Sequence, residues 1–284
     1  MIAGVERIAV VTPPDSNGNI SPLILKTCSE LGIEEVYKVG GAHSIAALAY
    51  GTETIEKVDK IVGPGNVYVA IAKKMVFGDC GIDSVAGPSE IVIIADESSK
   101  TEHIAADLLS QAEHDEKAMS ILITTSKQVL NEVILEVKKQ LEELPVENCK
   151  VAETSIANHG VAILTENFDK AIEISNLIAP EHLEIVTKEP FELLSKIRNA
   201  GSIFIGALSS EPIGDYGIGP NHVLPTLGNA RFSSGLSVSD FLKKMYLTSI
   251  SKDELDKIGE EMIRLAKYEG LKAHALAIEK RLRG

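Results

Sequence analysis

Short apolar runs rich in β-branched residues alternate along this chain with longer stretches whose apolar positions recur every three or four residues. The runs at 7–12, 35–39, 60–62, 90–95, 120–125, 160–164, 183–186 and 202–205 predict strands. The segments 22–31, 43–49, 68–77, 101–114, 128–144, 168–177 and 190–198 predict helices between them. Strand-helix-strand alternation at these lengths is the pattern of a parallel α/β sheet. A first α/β unit is expected over 1–95 and a second over 96–237. Beyond Ser237 the strands stop. Leu255, Ile258, Met262, Leu265, Tyr268, Leu271, Ala275 and Ile278 form one stripe, which predicts a single long amphipathic helix within a C-terminal arm, 238–284. That stripe must be buried against the chain's own body or a second subunit.

Composition narrows the class. At 284 residues, 44% hydrophobic and 24% charged, the chain is ordinary for a globular protein rather than a disordered or fibrous one. Its net charge of −13 opposes a nucleic-acid partner, which needs a basic face. No apolar run is long enough to span a bilayer, and the first residues lack the build of a signal peptide. Cys28, Cys80 and Cys149 are odd in number and widely spaced, so a reducing, cytoplasmic setting is expected rather than a disulfide framework.

The candidate chemistry lies where strands give way to helices or loops. Gly40-Gly41-Ala42-His43 and Gly63-Pro64-Gly65-Asn66 follow strands and open helices, an arrangement that suits a phosphate but equally an ordinary tight turn. Gln111 and His114 share a helix face at i, i+3, although a polar helix end is the simpler reading of that spacing. Asp215 lies in Gly214-Asp215-Tyr216-Gly217-Ile218-Gly219-Pro220-Asn221-His222, too rich in glycine for a helix or strand and therefore a functional loop or a surface connection. Glu181-His182 pairs a carboxylate with a histidine that can titrate near neutrality, which suits base chemistry. Alone, such a pair is more often structural. Glu269 and His274 fall on the terminal stretch, where a charged helix face is the default.

Taken in order, these segments resemble the histidinol dehydrogenase family. The matching stretches are Val39-Gly40-Gly41-Ala42, the run from Val58 to Asn66, Ala86-Gly87-Pro88-Ser89-Glu90, Leu109-Ser110-Gln111-Ala112-Glu113-His114, Ala179-Pro180-Glu181-His182-Leu183, Gly214 through Thr226, and Glu269 through His274. The resemblance implies two incomplete Rossmann-like parallel-sheet domains plus a C-terminal helical dimerisation arm. It implies a zinc-dependent, NAD-linked, four-electron oxidation of L-histidinol through L-histidinaldehyde to L-histidine. Carried over by motif, Gln111, His114, Asp215 and His274 would hold Zn2+. His182 would take the alcohol proton and Glu181 would activate water, while Ser89, His222 and Glu269 would join the metal ligands and His182 around the substrate. His43 and Asn66 would stand at the NAD site, with His43 where the family carries Gln.

The family also implies an intertwined homodimer in which Glu269 and His274 act in trans. It extends further at the N-terminus, through an arm, half of one α/β domain and a tyrosine segment at the cofactor, so this sequence is expected to be a fragment of a longer product. Two other functions fit the same residues. One is a zinc- and NAD-dependent dehydrogenase of another small amino- or diol-type alcohol, which Glu269, suited to a cationic amine, disfavours. The other is a catalytically silent paralogue that acts as a binding partner, which intact Glu181 and His182 disfavour.

Overall fold

The computed structural model describes residues 1–283, which form two compact units, Met1–Phe241 and residues 242–283. In chain order the first unit contains β1 (Ala9–Val11), α1 (Pro22–Glu30), β2 (Glu35–Tyr37), α2 (Gly41–Tyr50), β3 (Lys60–Ile61), α3 (Val67–Val76) and β4 (Gly81–Ile82). It continues through β5 (Glu90–Ala95), α4 (Thr101–Ala112), β6 (Met119–Thr124), α5 (Lys127–Leu141), α6 (Val146–His159) and β7 (Val161–Leu164). α7 (Phe168–Ile178), β8 (His182–Val186), a 3₁₀ segment (Pro190–Lys196), β9 (Ser202–Ile205) and the short α8 (Glu211–Asp215) complete it. All paired strands are parallel. β1 pairs with β2, β3 pairs with β4, and the main sheet has the order β7-β6-β5-β8-β9.

β5 explains the main sheet. Its run Glu-Ile-Val-Ile-Ile-Ala is fully buried, as a central parallel strand covered on both faces requires. Ile91, Ile93 and Ala95 point to one face, where they pack with Ile104, Ala105 and Leu108 of α4 and Val129 and Val133 of α5. Val92 and Ile94 point to the other, against Ala171 and Ile172 of α7 and Leu193 of the 3₁₀ segment. The strand expected to close the first α/β unit is therefore the middle of the second sheet. Residues 1–82 build their own core around Ile45, Leu48, Ile61 and Val76.

β8 begins at His182, one of the residues singled out in the sequence. His182 pairs in register with Ile91 and Ser202, and Glu184 with Ile93 and Phe204. Alternation puts Leu183 and Ile185 in the α7-side core and sends His182, Glu184 and Val186 toward α4. Val186 joins the core there. The other two bring polar groups into a buried layer.

The second unit corrects the single long helix. α9 (Lys252–Tyr268) and α10 (Lys272–Leu282) form an antiparallel-type hairpin broken at Gly270, whose φ of 78° lies in the left-handed region. Ile263, Ala266 and Ala275 are its small core, and Lys267 pairs with Glu279 at 2.6 Å across it. No helix among the described residues is long and apolar enough to cross a membrane.

Candidate active site

α7 ends at Ala179, whose left-handed φ of 54° turns the chain into Pro180-Glu181 before β8 begins. Gly201 packs against that turn: its N–H donates to the Pro180 carbonyl at 2.9 Å, and a Cβ there would stand 2.6 Å from the Glu181 carbonyl oxygen. Only glycine fits so close an approach. Glu181 and His182 are each 6% exposed.

Around the His182 ring, Nδ1 lies 3.2 Å from the Glu90 carbonyl and 3.0 Å from Gln111 Oε1. A backbone carbonyl can only accept, so Nδ1 carries the hydrogen and Nε2 keeps its lone pair. Nε2 faces Glu211 Oε1 at 3.5 Å. Burial holds His182 down to about 4, against the Glu90 carbonyl, so the ring is neutral at pH 7. The Phe204 ring, tilted at 52° with centroids 6.0 Å apart, covers one side of it.

Glu181 receives the Glu90 amide at 3.1 Å on Oε2. Burial nevertheless pushes its carboxyl up to about 8, outweighing that amide and the Ser89 side chain, both of which favour the ionised form. Glu181 Oε2 is 3.9 Å from His182 Nδ1. Glu90, 1% exposed, is raised by burial as well; its Oε1 accepts from the Leu227 amide at 2.9 Å, anchoring the following loop beside Glu181.

Behind His182 lies a group of carboxyls, Glu184 and Glu211 buried and Asp107 half-buried. Glu211 is pushed up to about 7 by burial, with Asp215 and Asp107 adding to it. Asp107 is pushed up to about 6 by burial, and burial, with the Asp107 charge beside it, raises Glu184 well above the usual carboxylate range.

Of the proposed metal ligands, His114 and Asp215 line one cleft of about 260 Å³, together with Glu211 and Tyr216. Gln111, at the end of α4, is 1% exposed, with Oε1 turned to His182. His274 lies in α10, in the second unit, and Glu269 caps the C-terminus of α9. Among the described residues no three His, Cys, Asp or Glu side chains are gathered closely enough to hold a metal. Asp215 ends a helical turn, where a segment too glycine-rich for a helix was expected. His222 sits in the exposed loop that follows it.

Of the two residues expected at the cofactor, His43 is in the first turn of α2. Asn66 is first of all a helix cap, its Oδ1 accepting from the Tyr68 and Val69 amides at 3.1 and 3.2 Å. Gly41 and Gly63, at φ of 67° and 122°, have open space where a side chain would begin. Room for a ligand therefore remains at both helix starts. Sequence reasoning missed Glu90, Asp107, Glu184 and Glu211. The readable signal was an acidic residue inside a strand otherwise fit for burial, as in Glu90-Ile91-Val92 and His182-Leu183-Glu184-Ile185.

The protein is a parallel α/β protein with paired C-terminal helices, and its buried His182 faces Glu211, an acid lining the His114–Asp215 cleft. The chain belongs to the histidinol dehydrogenase family, whose profile, described as Histidinol dehydrogenase, matches residues 1–282. The "Histidinol dehydrogenase" of Thermotoga maritima is 58% identical over 281 residues, covering 99% of this chain and 66% of that protein. That of Bacillus subtilis is 54% identical over 283 residues, covering 100% and 66%. The crystal structure of histidinol dehydrogenase from Elizabethkingia anophelis superposes with a TM-score of 0.92 at 43% identity, over 99% of this chain and 64% of that one. The chain thus spans about two thirds of the length of these relatives. An acetylating aldehyde dehydrogenase from Geobacillus thermoglucosidasius, at 13% identity and a TM-score of 0.51 over 86% of this chain and 70% of its own, shares the fold.

Proposed function

We propose that this chain carries the catalytic centre of an NAD-dependent histidinol dehydrogenase, which oxidises L-histidinol through L-histidinaldehyde to L-histidine. The observation that carries this reading is the buried His182, whose Nε2 keeps its lone pair and is turned toward Glu211, an acid that lines the His114–Asp215 cleft. A neutral imidazole held in one tautomer is a ready proton acceptor. His182 takes the hydroxyl proton of the alcohol. Glu181, once ionised, takes a proton from the water that adds to the aldehyde, and its dry surroundings strengthen it as a base.

The donor set suits zinc: imidazole nitrogen from His114 and carboxylate oxygen from Asp215 share one cleft. Gln111, by a side-chain rotation, and His274 would complete the set of ligands. When bound, zinc would orient and polarise the substrate, and NAD would accept hydride. Ser89, His222 and Glu269 are read as substrate contacts, with the Glu269 carboxylate facing the cationic amine. His43 and Asn66 are read as the NAD side, at the open helix starts beside Gly41 and Gly63.

In this reading the body is two incomplete Rossmann-like domains, expected as 1–95 and 96–237, with β5 lending its strand to the second. Residues 238–284 form the arm of a homodimer, so Glu269 and His274 serve the partner's site. The arm's uncovered apolar residues support this: Tyr246 is 100% exposed, Leu247 99% and Tyr268 91%. The three cysteines, unpaired in the structure, fit a cytoplasmic setting.

The test is a panel of alcohols offered with NAD to the metal-stripped and zinc-loaded chain, following NADH. Zinc-dependent preference for L-histidinol is expected. A clear preference for an alcohol lacking the imidazole would overturn the substrate assignment.

A further inference from the structure

α8 carries Glu211 at its first position and Asp215 at its last, so its placement sets both groups relative to His182. The first amides of a helix have no partner inside it and need one elsewhere. Ser210, which precedes the turn, makes no side-chain hydrogen bond to it. The first amide is taken instead by a residue far away in sequence: Glu184 Oε1, in the middle of β8, accepts from Glu211 N at 2.7 Å. Glu184 is 0% exposed and is the next residue after His182 on the α4-facing side of that strand. One side chain thus joins the strand bearing Glu181 and His182 to the turn bearing Asp215. Within the turn, Gly214 lies against Phe204, where a Cβ would come within 2.9 Å of the ring.

We propose that Glu184 is a positioning residue which caps α8 from within the sheet and so fixes Asp215 and Glu211 opposite His114 and His182. It touches neither substrate nor cofactor. The inference rests on the reading of His114 and Asp215 as metal ligands only for its consequence, not for the cap itself. Replacement by leucine removes the acceptor and leaves a buried amide orphaned. Replacement by glutamine keeps it, because the amide oxygen accepts from Glu211 N as the carboxylate oxygen does.

The test compares the chain with its Glu184→Leu and Glu184→Gln variants by hydrogen exchange and by zinc affinity against a competing chelator. Glu184→Leu should exchange at least about 10-fold faster across 207–216 and bind zinc about 10- to 100-fold more weakly, as loss of an outer-shell support does. Glu184→Gln should match the parent within about 2-fold in both. If the leucine variant does not fold, Glu184→Met, with an unbranched chain of similar length, takes its place. Unchanged exchange in a folded Leu or Met variant, or a Gln variant as impaired as they are, would overturn the inference. If the parent chain itself binds no zinc, the metal reading fails, and the exchange result still decides the cap.

Discussion

At the scale of single residues, the site is governed by desolvation acting in opposite senses on neighbours. Burial holds His182 at about 4 and lifts Glu181 to about 8, so at pH 7 both are mostly uncharged. An acid whose pKa is higher folded than unfolded gains nothing at low pH. Its unfolded form ionises first as pH rises, so stability is lost from about pH 4.5 upward until the folded group also ionises near 8. His182 works the other way: its depressed pKa costs stability as pH falls from about 6.5 to 4. Above pH 6.5 only the carboxyl contribution remains. The metal-free chain is therefore expected to lose stability between pH 6.5 and 8 in a denaturant titration, by an amount on the order of 1–2 kcal/mol from Glu181. Glu181→Gln should lessen that slope by the part due to Glu181, the other raised carboxyls keeping theirs. A slope equal to the parent's would mean that Glu181 titrates normally.

The same scale shows how much of the site was legible in the sequence. Glu181, His182, His114 and Asp215 stand in recognisable motifs; Glu181 and His182 are buried, whereas His114 and Asp215 are exposed and line a cleft with Glu211. Asp107, Glu184 and Glu211 carry no motif. They become neighbours only when β8 lies beside α4 with the turn at 211 folded over both, and no spacing along the chain reveals that.

At the scale of elements, long apolar runs were readable because burial on both faces leaves an unbroken hydrophobic signature, as in β5 and β6. α6 was not, because its inward face is small and polar: Ala152 and Ser155 are its only fully buried residues. β4 has two residues, too few for any period. The expected terminal helix is interrupted because Gly270 adopts a left-handed turn that the apolar stripe runs across without a gap. The Gly63 turn is held in a way its glycines do not disclose. Lys73, 2% exposed, pairs with Asp83 and donates to the Gly63 carbonyl at 2.9 Å, while Asp83 accepts from the Gly63 amide at 2.7 Å. An ion pair thus clasps both sides of one glycine ahead of α3. Lys73→Met should destabilise the chain by about 3–5 kcal/mol, because Asp83 is left buried and uncompensated. Lys73→Met with Asp83→Leu should recover a large part of that in thermal unfolding. A single variant as stable as the parent would remove the clasp from the account.

At the scale of the whole molecule, His114 and Asp215 lie in the first unit, and Glu269 and His274 lie in the second. In the proposed homodimer, the second unit of one copy completes the site of the other. Mixing a His182→Ala chain with a His274→Ala chain should then restore up to about a quarter of activity, since one site of a mixed dimer regains every group. No recovery despite proven subunit exchange would exclude action in trans.

In the proposed reaction, two adjacent buried residues divide the two oxidations between them. The direct measurement is NADH formation from L-histidinol and, separately, from L-histidinaldehyde, by the zinc-loaded parent and its Glu181→Gln variant. The variant is expected to keep the first oxidation within about 10-fold and to lose about 10²–10⁴-fold on the aldehyde, the range for removal of a general base. Undiminished aldehyde oxidation by Glu181→Gln would contradict the claim.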